Sequence, residues 1–112
     1  MELSEIRQAL GPDEPELTKR LADWMLKDVD DASRLAAARG LGKMKDGKTA
    51  SGALAQALRG DKERFVRQMA ATVLGELDAD DEVAVQALTA AKTDKAAEVR
   101  EAARAALAKI KK

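Results

Sequence analysis

The chain has 112 residues, enough for one ordinary domain with a modest core, and its 20 basic and 20 acidic side chains cancel to a net charge of zero. Apolar residues make up 46% and charged residues 36%, too much apolar content for a disordered tail. Cysteine and histidine are absent, which excludes a disulfide framework, a thiol nucleophile, a Cys/His zinc site, haem ligation by either residue and any triad built on histidine.

Start and stop signals predict about seven helices. The first covers residues 2–10 and ends at Gly11-Pro12. Asp13, Pro15 and Glu16 then read as an N-cap box, an acid cap with an early proline and a glutamate three residues on. The helix they open runs to about Lys27. Asp30 or Asp31 can cap another through Met44, which Asp46-Gly47 breaks, and Thr49 or Ser51 can open the next, to Arg59. Gly60-Asp61 closes that one, and helices near 63–77, 81–92 and 96–111 complete the set. Only Trp24 and Phe65 are aromatic, and alanine outnumbers every other residue, so the core is expected to come from closely approaching helices, not from strands.

Internal repetition organises the chain, with a period of roughly 33 residues, the size of one helix pair. Asp61, Arg67, Ala70, Leu74 and Leu77 recur one period later as Asp94, Arg100, Ala103, Leu107 and Ile110, and one period earlier as Asp28, Arg34, Ala37, Leu41 and Met44. Ala70, Leu74 and Leu77 lie at i, i+4 and i+7, one apolar stripe of a helix that needs a neighbour to cover it. The intervening helices repeat more loosely. Leu21 and Met25 precede Asp28 as Leu54 and Leu58 precede Asp61, but before Asp94 the places fall to Ala87 and Ala91, so the second stripe thins along the chain.

The pattern Asp-x4-Val-Arg-x2-Ala-x3-Leu-Gly-x-Leu resembles HEAT repeats, especially the short variety of phycobilin lyase subunits and of bacterial and archaeal HEAT-repeat proteins. Asp61 to Ile110 fit it well, 28–59 fit it with Ser33 in place of the usual valine, and 1–27 carry only its second-helix half. The resemblance implies an all-α, right-handed α-α superhelix in a single domain over 1–112. Its parts would be an N-terminal pair at 1–27, repeats at about 28–60 and 61–93, and a final helix at 94–112. First helices would lie outside and second helices would line the concave face. It also implies that Asp28, Asp61 and Asp94, with Arg34, Arg67 and Arg100, form a ladder between repeats. The physical reading agrees that these residues are structural: a short acid before a helix caps free amides, and an arginine one turn inside can reach it.

Other constellations fit bland readings better. Counted from Asp78, the acidic run 78–82 would need Gly at 83 and Glu at 89 to be a calcium loop, and these are Val83 and Thr89. A solvated turn with a helix N-cap suits it. Gly40-Leu41-Gly42-Lys43 has no strand before it and Lys45 where a phosphate loop needs glycine; Gly42 matches Gly75 of the next repeat, a place of close helix approach. The carboxylate pairs Asp23/Asp28 and Glu76/Asp78 show no apolar pocket for acid–base work. No enzyme, cofactor or metal is expected.

Charge alternates in blocks: 1–33 hold nine acids and four bases (−5), 34–60 one and six (+5), 61–94 eight and four (−4), and 95–112 two and six (+4). Such blocks favour orientation between neighbours. Without stacking aromatics a nucleic-acid partner is disfavoured, and no apolar run reaches membrane-spanning length. A cytoplasmic protein-binding scaffold is the expectation, with an accessory or structural subunit of a larger complex, such as a lyase-type assembly, as its alternative. Partner-facing candidates are Arg20, Asp23, Lys27, Gln56, Gln86 and Thr89, opposite the apolar stripe of the second helices. Phe65 is a further one, because its register mates are Ala32 and Glu98. Trp24, at i+3 from Leu21 and i+7 from Leu17, reads as an apolar-face residue. The last helix has no following helix to cover it, so weak self-association through it is expected unless Arg104, Lys109, Lys111 and Lys112 act as a polar cap.

Overall fold

The computed structural model describes residues 14–28, 30–44 and 47–110. They form α1 (Glu14–Lys27), α2 (Asp31–Leu41), α3 (Gly47–Gly60), α4 (Arg64–Glu76), α5 (Glu82–Ala91) and α6 (Ala97–Ile110). The helix expected over 2–10 lies outside the described residues.

Local chemistry sets the helix ends. Asp30 caps α2, its carboxylate accepting from the Ala32 amide and the Ser33 hydroxyl, both at 3.2 Å. That helix stops at Leu41, short of the expected Met44. Gly42 has poor helix propensity, and the amides of Gly42, Lys43 and Met44 turn to carbonyls three residues back, at 3.1–3.2 Å. Met44 leaves the helix yet stays buried. Helix α3 opens at Gly47, ahead of the expected Thr49 or Ser51; the Ser51 hydroxyl is committed elsewhere, to Asp81. Helix α4 closes with a double hydrogen bond, Ala79 N–H to Leu74 O and Asp78 N–H to Gly75 O, both 3.1 Å. This motif places the residue after the cap in the left-handed region, and Asp78 takes it with φ of 53°.

The helices build two layers. Helices α1, α3 and α5 pack in order in one, α2, α4 and α6 in the other, and α1 meets α2, α3 meets α4 and α5 meets α6 across them. The body measures 39 × 29 × 16 Å. Leu21, Met25, Leu54, Leu58 and Leu88 from the first layer meet Leu41, Leu74 and Leu107 from the second, all buried. Each fully buried leucine contributes about 1.5–3 kcal/mol. The whole is an all-helical α-solenoid, and because alanines supply much of the core the helices lie close.

Two glycines mark the closest approaches in the second layer. A Cβ built on Gly75 would stand 2.9 Å from the Ala106 Cα, and one on Gly42 would stand 3.0 Å from a Val73 methyl. The two pairs are the same contact one repeat apart. Gly52, inside α3, is different: an added Cβ meets nothing within 4 Å. Gly52→Ala is therefore expected to stabilise the protein by roughly 0.5–1 kcal/mol, the helix-propensity difference at an open site. Urea denaturation reads this directly, and a lowered midpoint would contradict it.

Candidate protein-interaction surface

An ionic ladder ties successive repeats together along the layer of α2, α4 and α6. Arg34 grips Asp61 with two parallel bonds, Nε to Oδ2 at 2.9 Å and Nη2 to Oδ1 at 3.2 Å, while its Nη1 donates to the Asp28 carbonyl at 3.0 Å. Arg67 repeats this on Asp94 at 3.0 and 3.2 Å, with Nη1 on the Asp61 carbonyl at 2.8 Å. Arg100 keeps only the last contact, Nη1 to the Asp94 carbonyl at 2.8 Å. Arg34 and Arg67 thus take the carboxylate of the following repeat, and of their own repeat only the backbone carbonyl. The aspartate of each repeat is turned to an amide two residues on: Asp28 to Asp30 N at 2.8 Å, Asp61 to Glu63 N and Asp94 to Ala96 N at 2.9 Å.

These pairs are nearly dry. Side-chain exposures are 5% and 6% for Arg34 and Asp61, and 7% and 13% for Arg67 and Asp94, so the bidentate geometry is needed to offset desolvation. The hydrogen bond to Asp61 raises the Arg34 pKa against the opposing effect of burial. For Asp94, burial favours the neutral acid, but the bonds from Arg67 and the Ala96 amide outweigh it and hold the carboxyl below its ordinary value.

A second tie joins α3 to α5. The buried Ser51 hydroxyl donates to Asp81 Oδ2 at 2.7 Å, and Asp81 Oδ1 caps α5 by accepting from Ala84 N at 2.9 Å. The Ser51 bond, then the capping amides, lower the Asp81 pKa against the effect of burial. The acidic turn is therefore built to end one helix and start the next, and among the described residues no cluster of acids fit to hold a metal occurs.

With one layer locked behind it, the other presents a polar row. Asp23 on α1, Gln56 on α3 and Thr89 on α5 occupy one register position in three successive repeats, and all three are exposed. Arg20, Lys27 and Gln86 flank them and are exposed too. Lys27 lies 3.9 Å from Asp23 with side chains 77% and 70% exposed, a contact worth little in water. Gln86 bonds Glu82 at 3.0 Å and Thr89 bonds back to the Val85 carbonyl at 2.7 Å. Phe65 is not part of this row. It sits on α4 in the other layer, 48% exposed, with the Arg64 guanidinium 5.0 Å from its ring centre and Arg64 in turn 3.3 Å from Glu98. Trp24 packs against the core from α1, half-buried, and no described residue accepts from its buried Nε1.

A stack of helix pairs tied by a repeating buried Asp–Arg ladder defines a helical-repeat solenoid, a class of interaction module. The family model of HEAT repeats matches residues 18–108, and the chain belongs to the HEAT-repeat family. No curated protein matches it. No helix among the described residues is long and apolar enough to cross a membrane.

Proposed function

We propose that this chain is a non-catalytic protein-interaction scaffold whose partner lies across the outward face of α1, α3 and α5. One observation carries this reading: Asp23, Gln56 and Thr89 repeat one exposed polar position on three successive helices of a layer, backed by a core and ladder that fix their spacing. The row mixes both signs of charge and has no aromatic anchor, which suits a modest polar contact with a folded partner over a tight apolar one. Phe65 and Arg64 on the opposite layer form a separate and smaller apolar spot.

The test is the double substitution Arg20→Glu with Lys27→Glu. Partner capture by the tagged chain is expected to fall at least tenfold, by the loss of about 1.4 kcal/mol or more at the contact, while helicity by circular dichroism is kept. Undiminished capture by a folded double variant would rule this face out.

A further inference from the structure

The turns that lead into α4 and α6 carry bases that neither the core nor the ladder uses. Lys62 and Lys95 hold one register position in successive repeats, Arg59 and Lys92 hold another, and all four are exposed. Among the described residues none of the four forms an ion pair. The acids of the same turns are largely spent: Asp61 and Asp94 are taken by Arg34 and Arg67, and Glu98 by Arg64, which leaves Glu63. The repeat itself does not demand this charge. One period before Lys62 and Arg64 stand Val29 and Asp31, and one period before Arg59 stands Leu26.

Between the starts of α4 and α6 runs an open groove of about 420 Å³, with Lys62, Glu63 and Arg64 on one side and Lys95, Ala97 and Glu98 on the other. Phe65 stands at its rim, 48% exposed, with the Arg64 guanidinium 5.0 Å from its ring centre and Glu98 holding that guanidinium at 3.3 Å. The other large apolar side chain exposed among the described residues, Val83, lies at the start of α5. Helix α4 has no acid in its first turn and no side-chain bond from Glu63 at its cap, so its positive end is left to favour an incoming anion. Both walls of the groove are described helices inside the stack.

We infer that this groove docks an acidic segment of a partner protein, its carboxylates beside Lys62 and Lys95 and one apolar side chain on Phe65. Charge names the occupant: the exposed bases outnumber the uncommitted acids, and the exposed aromatic ring sits among them. A peptide suits the site better than a nucleic acid. A continuous phosphate backbone would have to pass Glu63 and Glu98, whereas a peptide can set a carboxylate beside each base and an amide beside each acid. One exposed ring gives a single stacking place where single strands use several. The contact is separate from the row on α1, α3 and α5 and does not depend on it.

Fluorescence anisotropy at low salt tests this, with a short labelled peptide of glutamates and glycines around one tryptophan. The wild-type chain is expected to bind it, more weakly as salt rises. Lys62→Glu with Lys95→Glu is expected to weaken binding at least about tenfold, and Phe65→Ala at least about fivefold, with helicity by circular dichroism kept in both. Arg104→Glu with Lys109→Glu makes the same change of net charge further along α6, and is expected to bind within about twofold of wild type, since exposed charges beyond a screening length act weakly. A peptide with glutamine for glutamate is expected not to bind. The inference is overturned by a wild type that leaves the acidic peptide unbound, by equal binding of the glutamine peptide, or by a Lys62/Lys95 or Phe65 variant that binds as wild type does. It is overturned equally if the Arg104/Lys109 variant loses as much, or if single-stranded oligothymidylate binds more tightly than the peptide.

Discussion

Replacing Arg67 by methionine is expected to cost about 3–5 kcal/mol, the range for stripping one partner from a buried ion pair. Arg100→Met, at the same register position one repeat later, is expected to cost about 1 kcal/mol or less, one hydrogen bond to a carbonyl. The two arginines differ in what their forks hold. Arg67 leaves behind an Asp94 carboxylate that is 13% exposed with one amide to satisfy it, whereas Arg100 leaves a carbonyl. In melting temperature the first loss is on the order of 10 °C or more for a domain of this size. Adding Asp94→Asn to Arg67→Met is expected to return much of the loss, because a neutral amide can still accept from Ala96 N without a buried charge. Acid gives the same argument a second reading. The Asp94 carboxyl is held below its ordinary value in the folded protein, so its stabilisation is complete above the unfolded value of about 3.9 and is lost as the pH falls through the folded one. In Arg67→Met burial acts unopposed by the cation and the carboxyl protonates more readily. The stability gap between wild type and Arg67→Met is therefore widest near neutrality and narrows in acid. Urea midpoints at neutral pH and near pH 3 measure it, and a gap of constant width would show that the ion pair does not hold adjacent repeats together.

The repeat register made the ladder legible because its residues are spaced along one chain, but the spacing alone does not say which aspartate an arginine takes. Six residues separate each arginine from its own aspartate and 27 from the next one. Only the packing of α2 on α4 and of α4 on α6 brings the distant carboxylate to the fork. Ser51 and Asp81 were missed as a pair for a related reason. The acidic run around Asp81 has the composition of a solvated turn, and its one buried bond runs to a helix 30 residues back. A signal was present: Thr18 stands one repeat before Ser51, and both hydroxyl residues are buried. Asp78 gave no warning of its left-handed backbone, since that position usually takes glycine. The end of α2 shows the opposite error, a helix drawn to Met44 because an apolar residue there fits the stripe, although Gly42 releases the chain and Met44 reaches the core from a turn.

Gly75→Ala is expected to destabilise the protein by about 1–3 kcal/mol, the cost of overpacking a tight contact, although alanine is the better helix former by about 1 kcal/mol. The new methyl would sit 2.9 Å from both the Cα and the Cβ of Ala106. Backbone is in the way, so no rotamer change relieves the contact and α6 itself has to move. At Gly42 the obstacle is a Val73 methyl at 3.0 Å, which a side chain can withdraw, and Gly42→Ala is expected to fall between the two extremes. Gly52→Ala meets nothing and gains. One substitution at three glycines thus yields a gain, a small change and a loss, ordered by what each methyl meets and not by helix propensity. Because Asp94 lies just ahead of α6, shifting that helix also disturbs the carboxylate that Arg67 holds. Gly75→Ala and Arg67→Met share that consequence, so their combined cost is expected to be smaller than the sum of the two measured alone. Strict additivity would mean that the glycine contact and the ladder fix α6 independently.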